Sequence, residues 1–101
     1  MEDVAGEYAR RVRAQLGTRV KEIRLFGSRA RGDAREHSDY DVLIILEQRD
    51  PKLRAEILEI AARMMDQYGV LVATVLRSAE EWHRSQGYPF ARNIVRESVA
   101  L

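Results

Sequence analysis

Cysteine is absent from the 101 residues, which excludes disulfides, thiolate metal centres and cysteine nucleophiles. There is no marked excess of one charge. Seventeen basic residues against sixteen acidic ones leave a net charge of +1, too little for generic, phosphate-driven binding of nucleic acid, so no direct nucleic-acid contact is expected. Nor is there a long apolar run. The longest, Val42-Leu43-Ile44-Ile45-Leu46, is far too short to span a bilayer. The first seven residues, Met1-Glu2-Asp3-Val4-Ala5-Gly6-Glu7, are acidic and lack the basic-then-apolar profile of a secretory signal. The expected compartment is the cytoplasm. Repeats and low-complexity tracts are also missing, and the length allows one core, so residues 1–101 are expected to form a single domain.

What is present is regular patterning. Val4, Tyr8, Val12 and Leu16 recur every fourth position between charged residues, predicting an amphipathic helix that Gly17 stops. In Arg19–Phe26, Ile23 and Leu25 alternate with polar residues, the period of a half-buried strand. Residues 29–38 read as a loop or one short helical turn, and Val42–Leu46 as a central strand. Asp50-Pro51 starts a helix with Leu53, Ile57, Ile60, Ala61, Met64 and Tyr68 on one face, closed by Gly69. A buried strand over residues 70–76 follows. Ser78-Ala79-Glu80-Glu81 has the spacing of a capping box, predicting a short helix through Trp82, and a last helix is expected over Phe90–Arg96. Strands and helices intermix, so the fold class is α/β (α+β): a small mixed sheet with helices packed against it, its strand order unreadable from the pattern.

The chemistry is concentrated in two short stretches. Gly27-Ser28 stands where a strand ends. Glycine lets a phosphate approach the backbone, free N–H groups can donate to its oxygens, and the serine hydroxyl adds a donor. Arg29, Arg31 and Arg35 share the loop and can neutralise phosphate charge. Asp39 and Asp41, two apart at the entry to a strand, would share a face and repel unless a cation sits between them. A hard divalent ion suits them, since Mg²⁺ characteristically takes one or two carboxylates plus substrate phosphates. Each half alone has a plainer reading: a solvated Gly-Ser turn, or an Asp39 turn followed by an exposed Asp41. If the two strands are neighbours, however, the acid pair faces the turn, which is the layout an Mg²⁺-nucleotide needs.

Gly27-Ser28-Arg29-Ala30-Arg31-Gly32 followed by Ser38-Asp39-Tyr40-Asp41-Val42 resembles the minimal nucleotidyltransferases of the DNA polymerase beta superfamily. The likeness is closest over residues 20–46 and extends loosely over most of the chain. It implies transfer of a nucleotidyl group from ATP or another nucleoside triphosphate, with Mg²⁺ as cofactor. Gly27, Ser28 and Arg29 would bind the nucleotide, while Asp39 and Asp41 would be the catalytic metal ligands. It also implies a partner: many such short proteins are antitoxins of HEPN-type toxins, and some silence the toxin by adding AMP to one of its tyrosines.

The sequence departs from that pattern in one respect. Two-metal phosphoryl transfer needs a second ion at the attacking hydroxyl, and the resemblance places a third carboxylate for it on the neighbouring strand. Residues 70–76 contain no acid; Asp66 and Glu80 flank them, and Glu22 and Glu47 are remote alternatives. Two functions therefore compete: an enzyme working with two carboxylates, more slowly, and a binding module that neutralises its partner by stoichiometric association. A homo-oligomer is open to either. His37 and His83 read as surface residues, Tyr40 as core-facing, and Tyr68, Trp82 and Phe90 as core rather than base-stacking platforms.

Overall fold

The computed structural model describes residues 3–36 and 38–101. Helix α1 (Val4–Leu16) is capped by Asp3, whose carboxylate accepts from the Gly6 N–H. A 3₁₀ turn leads into β1 (Val20–Phe26), and the short helix α2 (Ser28–Arg31) follows directly. Next come β2 (Tyr40–Leu46), α3 (Pro51–Tyr68), β3 (Val72–Ser78), α4 (Ala79–Arg84), α5 (Pro89–Glu97) and a two-residue β4 (Val99–Ala100). The α/β expectation is met by a four-stranded mixed sheet in the order β3-β2-β1-β4. β1 runs antiparallel to β2 and β4, while β2 and β3 are parallel. The parallel pair needs a crossover, and α3 supplies it.

The unbroken apolar run of β2 follows from its position: it is central, with helices on both faces. Val42, Ile44 and Leu46 enter the main core with Tyr8, Val12 and Leu16 of α1 and Leu53, Ile57 and Met64 of α3. Leu43 and Ile45 point the other way, into a smaller cluster with Phe26, Val75, Trp82 and Ile94 beneath α4 and α5. Asp41 has the phase of this second face, Tyr40 that of the first. Across the main core the Tyr8 hydroxyl meets Thr74 Oγ1 at 2.8 Å, tying α1 to β3, and burial pushes the Tyr8 phenol up to about 12.

Most helix ends fall where the sequence predicts. Asp50 accepts from the Lys52 N–H, Gly69 closes α3 at φ 67°, and both halves of the Ser78–Glu81 capping box form. Two differences stand out. β3 lies two residues beyond its expected start, because Val70 and Leu71 are β-formers that hydropathy cannot separate from the strand, while Arg77 and Ser78 pair with Ile45 and Leu46 despite their polarity. β4 is an addition, drawn against the open side of β1 by pairing at Arg24 and Leu25. Among the described residues no helix is long and apolar enough to cross a membrane.

Candidate functional site

β1 hands the chain to α2 through Gly27, which adopts φ 76° and ψ −159°, backbone space essentially restricted to glycine. A second constraint acts at the same residue. A Cβ at Gly27 would lie 2.3 Å from Asp41 Oδ2, so the carboxylate is packed directly on the backbone of the turn. Sheet register explains the approach: Phe26, the last residue of β1, is the cross-strand partner of Asp41. The Gly27 carbonyl accepts from the N–H groups of Ala30 and Arg31. The first N–H groups of α2, those of Ser28 and Arg29, have no acceptor within that helix, as at any helix start. The end of β1 and the start of β2 thus bring together backbone donors, the Ser28 hydroxyl and a carboxylate.

Asp41 is half-buried, whereas Asp39, one residue before the strand, is exposed. Burial first, and then the charge of Asp39, hold the Asp41 carboxyl above the ordinary aspartate range; Arg31 offsets part of this. A raised aspartate means that ionisation is resisted by its surroundings, and a cation would relieve both causes. Two close carboxylates and an adjacent phosphate-accessible turn fit one hard divalent ion that takes its remaining ligands from phosphate and water. No group of three or more metal-capable acids, histidines or cysteines occurs among the described residues. On β3 the residue level with Asp41 is Ala73, and Val75 follows on the same face, so the position for a third acid is apolar. Thr74, the one polar residue in that stretch, faces α1 instead, bound to Tyr8.

The arginines of the loop divide by task. Arg29 donates from Nε and one terminal nitrogen to the Ser38 carbonyl at 3.1 and 2.8 Å, and reaches the Glu36 carbonyl at 3.4 Å. Its guanidinium lies 4.3 Å from the centre of the Tyr40 ring, on the side of β2 away from Asp41. Arg29 therefore fastens the loop that delivers Asp39. Arg31 is the arginine whose charge reaches Asp41; it pairs with Asp33 at 3.3 Å and with Glu97 of α5 at 3.5 Å. Arg29 and Arg31 were both visible in the sequence, but which side of β2 each would occupy depends on the turn at Gly27. Glu97 carried no sequence signal.

Tyr40 and Tyr68 pack against the main core and Trp82 against the smaller one. Phe90, expected in the core, is instead 44% exposed at the start of α5 and meets Phe26 edge-on, with ring centres 6.0 Å apart. His83 is exposed. His37 lies outside the described residues.

The nucleotidyltransferase domain family model matches residues 7–100. A candidate protein adenylyltransferase of Methanocaldococcus jannaschii is 30% identical over 95 residues, covering 94% of this chain and 91% of that protein. A solved minimal nucleotidyltransferase superposes with a TM-score of 0.58 at 28% identity, covering 99% of this chain and 97% of its own. The MNT antitoxin structure from a complex with a tri-AMPylated HEPN toxin of Shewanella oneidensis gives 0.57 at 16% identity, over 99% of this chain and 71% of that one, a likeness of fold alone. With a strand-ending Gly-Ser turn, an acid pair opening the next strand, and a family match along almost the whole length, the chain belongs to the nucleotidyltransferase domain family.

Proposed function

We propose that the chain transfers AMP from Mg-ATP to a hydroxyl group of a partner protein, with a tyrosine of a HEPN-type toxin as the acceptor. One observation carries this reading: the Asp41 carboxylate is packed onto the Gly27 backbone with the Asp39 charge beside it. That contact supports a site where backbone donors would meet phosphate and the two acids would meet a metal. The similarity to a candidate protein adenylyltransferase, and the fold shared with an antitoxin found beside an AMP-bearing toxin, support the acceptor class.

In this reading Gly27 and Ser28 hold the triphosphate through backbone N–H groups and the serine hydroxyl. Arg31 leaves Asp33 and Glu97 to neutralise phosphate charge, and Arg29 serves the nucleotide indirectly by holding the loop that carries Asp39. Asp39 and Asp41 would hold Mg²⁺, which supplies charge neutralisation on the phosphates and orients them. The acceptor oxygen bonds to the α-phosphorus, the bond from that phosphorus to the bridging oxygen breaks, and pyrophosphate departs. The hydroxyl proton passes to solvent. Labelled AMP should move to the cognate partner in the presence of Mg²⁺, and transfer should vanish in Asp39→Asn and in Asp41→Asn. Absence of transfer from the unsubstituted protein would overturn the reading.

A second reading rests on Ala73. With an apolar residue level with Asp41 on β3, no third metal-capable carboxylate joins the site among the described residues, which favours neutralisation by stoichiometric association. Retention of toxin inhibition by the Asp39→Asn/Asp41→Asn double variant would select it; loss of inhibition would reject it.

A further inference from the structure

β3 is an edge strand, and the phase of its free side can be worked out. The Leu71 carbonyl accepts from the Tyr40 N–H at 2.9 Å. In a parallel pair both backbone groups of a residue point to the same side, and successive residues alternate. Ala73, Val75 and Arg77 therefore bond toward β2, whereas Val72, Thr74 and Leu76 present their groups outward, where the sheet order ends. Two outward groups at the far end are already used: the Leu76 carbonyl by the Arg77 guanidinium at 2.9 Å, and the Ser78 N–H by Glu81 at 2.8 Å. Both groups of Val72 and Thr74 and the Leu76 N–H remain as a row of unpaired strand positions. Such an edge is normally covered or blunted.

This edge borders a groove of about 600 Å³ between β3 and the start of α3. Its apolar floor includes Leu58, 42% exposed, and the strip continues one heptad on at Met65, also 42% exposed. Three guanidiniums, those of Arg49, Arg54 and Arg77, line it against one carboxylate, Asp50, which is engaged as the cap of α3. Arg49 is held by Glu81 at 2.9 Å, and Arg77 lies over the Phe90 ring. Arg54 has no acidic partner among the described residues, and it is exposed one turn before Leu58.

We infer that this edge is a docking site for an extended acidic segment of a partner protein, added to the sheet as a fifth strand beside β3. Main-chain bonds to Val72, Thr74 and Leu76 give the attachment, and alternate side chains give the selection. On one face the incoming strand sets an apolar residue over Leu58 and, two positions away, an acid against Arg54. On the other face it sets an acid toward Arg77. The sign of the lining argues for a different protein: a second copy paired edge to edge would double the positive excess instead of offsetting it. The inference is independent of the nucleotide chemistry.

The test uses the whole chain and the probe acetyl-Ser-Thr-Val-Glu-Glu-Thr-Ser-amide, titrated while backbone amide resonances are followed. The Thr74 and Leu76 amides should shift saturably and exchange more slowly. The counterpart with both glutamates replaced by lysine should not bind, and Arg54→Glu should weaken the acidic probe ~10-fold with the far-ultraviolet spectrum unchanged. The proposal is overturned by shifts confined to other regions, by equal binding of the lysine probe, or by an undiminished affinity in folded Arg54→Glu. It is equally overturned if the free protein sediments as a dimer whose β3 amides are already protected.

Discussion

Substituting alanine for Gly27 puts two separable strains on the protein. The first is local. At φ 76° and ψ −159° an L-residue pays about 1–3 kcal/mol for its backbone conformation. The second is a contact: the new methyl would stand 2.3 Å from Asp41 Oδ2, well inside the distance at which real Cβ atoms are found, so the carboxylate must retreat. Gly32→Ala is the matched control. Gly32 also has a positive φ, 83°, in the milder left-handed helical region, but an added Cβ meets nothing within 4 Å. For a domain of this size 1 kcal/mol corresponds to ~4–8 °C of Tm. Gly32→Ala should thus lower Tm by ~4–8 °C, and Gly27→Ala by roughly twice that. In calorimetry with Mg-ATP only Gly27→Ala should lose nucleotide affinity, because only it displaces a proposed metal ligand. The contact can be isolated by a cycle: with Asp41→Ala in place the carboxylate is gone, and the further cost of Gly27→Ala should shrink toward the strain alone. Full additivity in that cycle, or a Gly27→Ala protein that melts and binds like the unsubstituted one, would refute the reasoning.

Further expectations follow from the same geometry. Because the Asp41 carboxyl is raised in the folded state, its ionised form opposes folding at neutral pH. Asp41→Asn should therefore melt at a higher temperature at pH 7 without metal, the difference closing as pH falls through the carboxylate range, whereas Mg²⁺ with nucleotide should stabilise only the unsubstituted protein. Ala73→Asp should lower Tm without metal by adding a third like charge level with Asp41, and should raise the rate of AMP transfer with Mg²⁺; a slower enzyme would count against the missing-ligand argument. Tyr8→Phe deletes the buried hydroxyl bond to Thr74 and should cost ~1 kcal/mol in denaturant unfolding. The same substitution should remove a tyrosine that ionises near pH 12 from the ultraviolet titration of the folded protein.

The sequence announces most helix ends because capping is local chemistry. Asp50, Pro51 and Gly69 act within one turn of themselves, as do Ser78 and Glu81, so their roles can be read without knowing the fold. Strand limits are another matter. Nothing in Val70-Leu71 differs in kind from Val72, and β3 is placed two residues later by its register against Tyr40–Leu46. The Gly27-Ser28 turn and the Asp39/Asp41 pair were legible only as a set, because glycine at a strand end and aspartate at a strand start are each common boundary residues on their own. The pressure of Asp41 on Gly27 was not, since it depends on β1 and β2 being adjacent and on Phe26 facing Asp41. The separate tasks of Arg29 and Arg31 were hidden for the same reason: two residues apart on a single turn of helix, they leave in different directions.

The clasp made by Arg29 has a consequence for the conditions under which the acids stay in place. Its hydrogen-bond acceptors are peptide carbonyls and its platform is an aromatic face, so no carboxylate takes part in the clasp. An arginine fastened to a carboxylate would slacken in acid and in concentrated salt. Here the anchorage of the segment leading to Asp39 does not depend on a carboxylate, and sensitivity to acid and to ionic strength is left to Asp41 and Arg31.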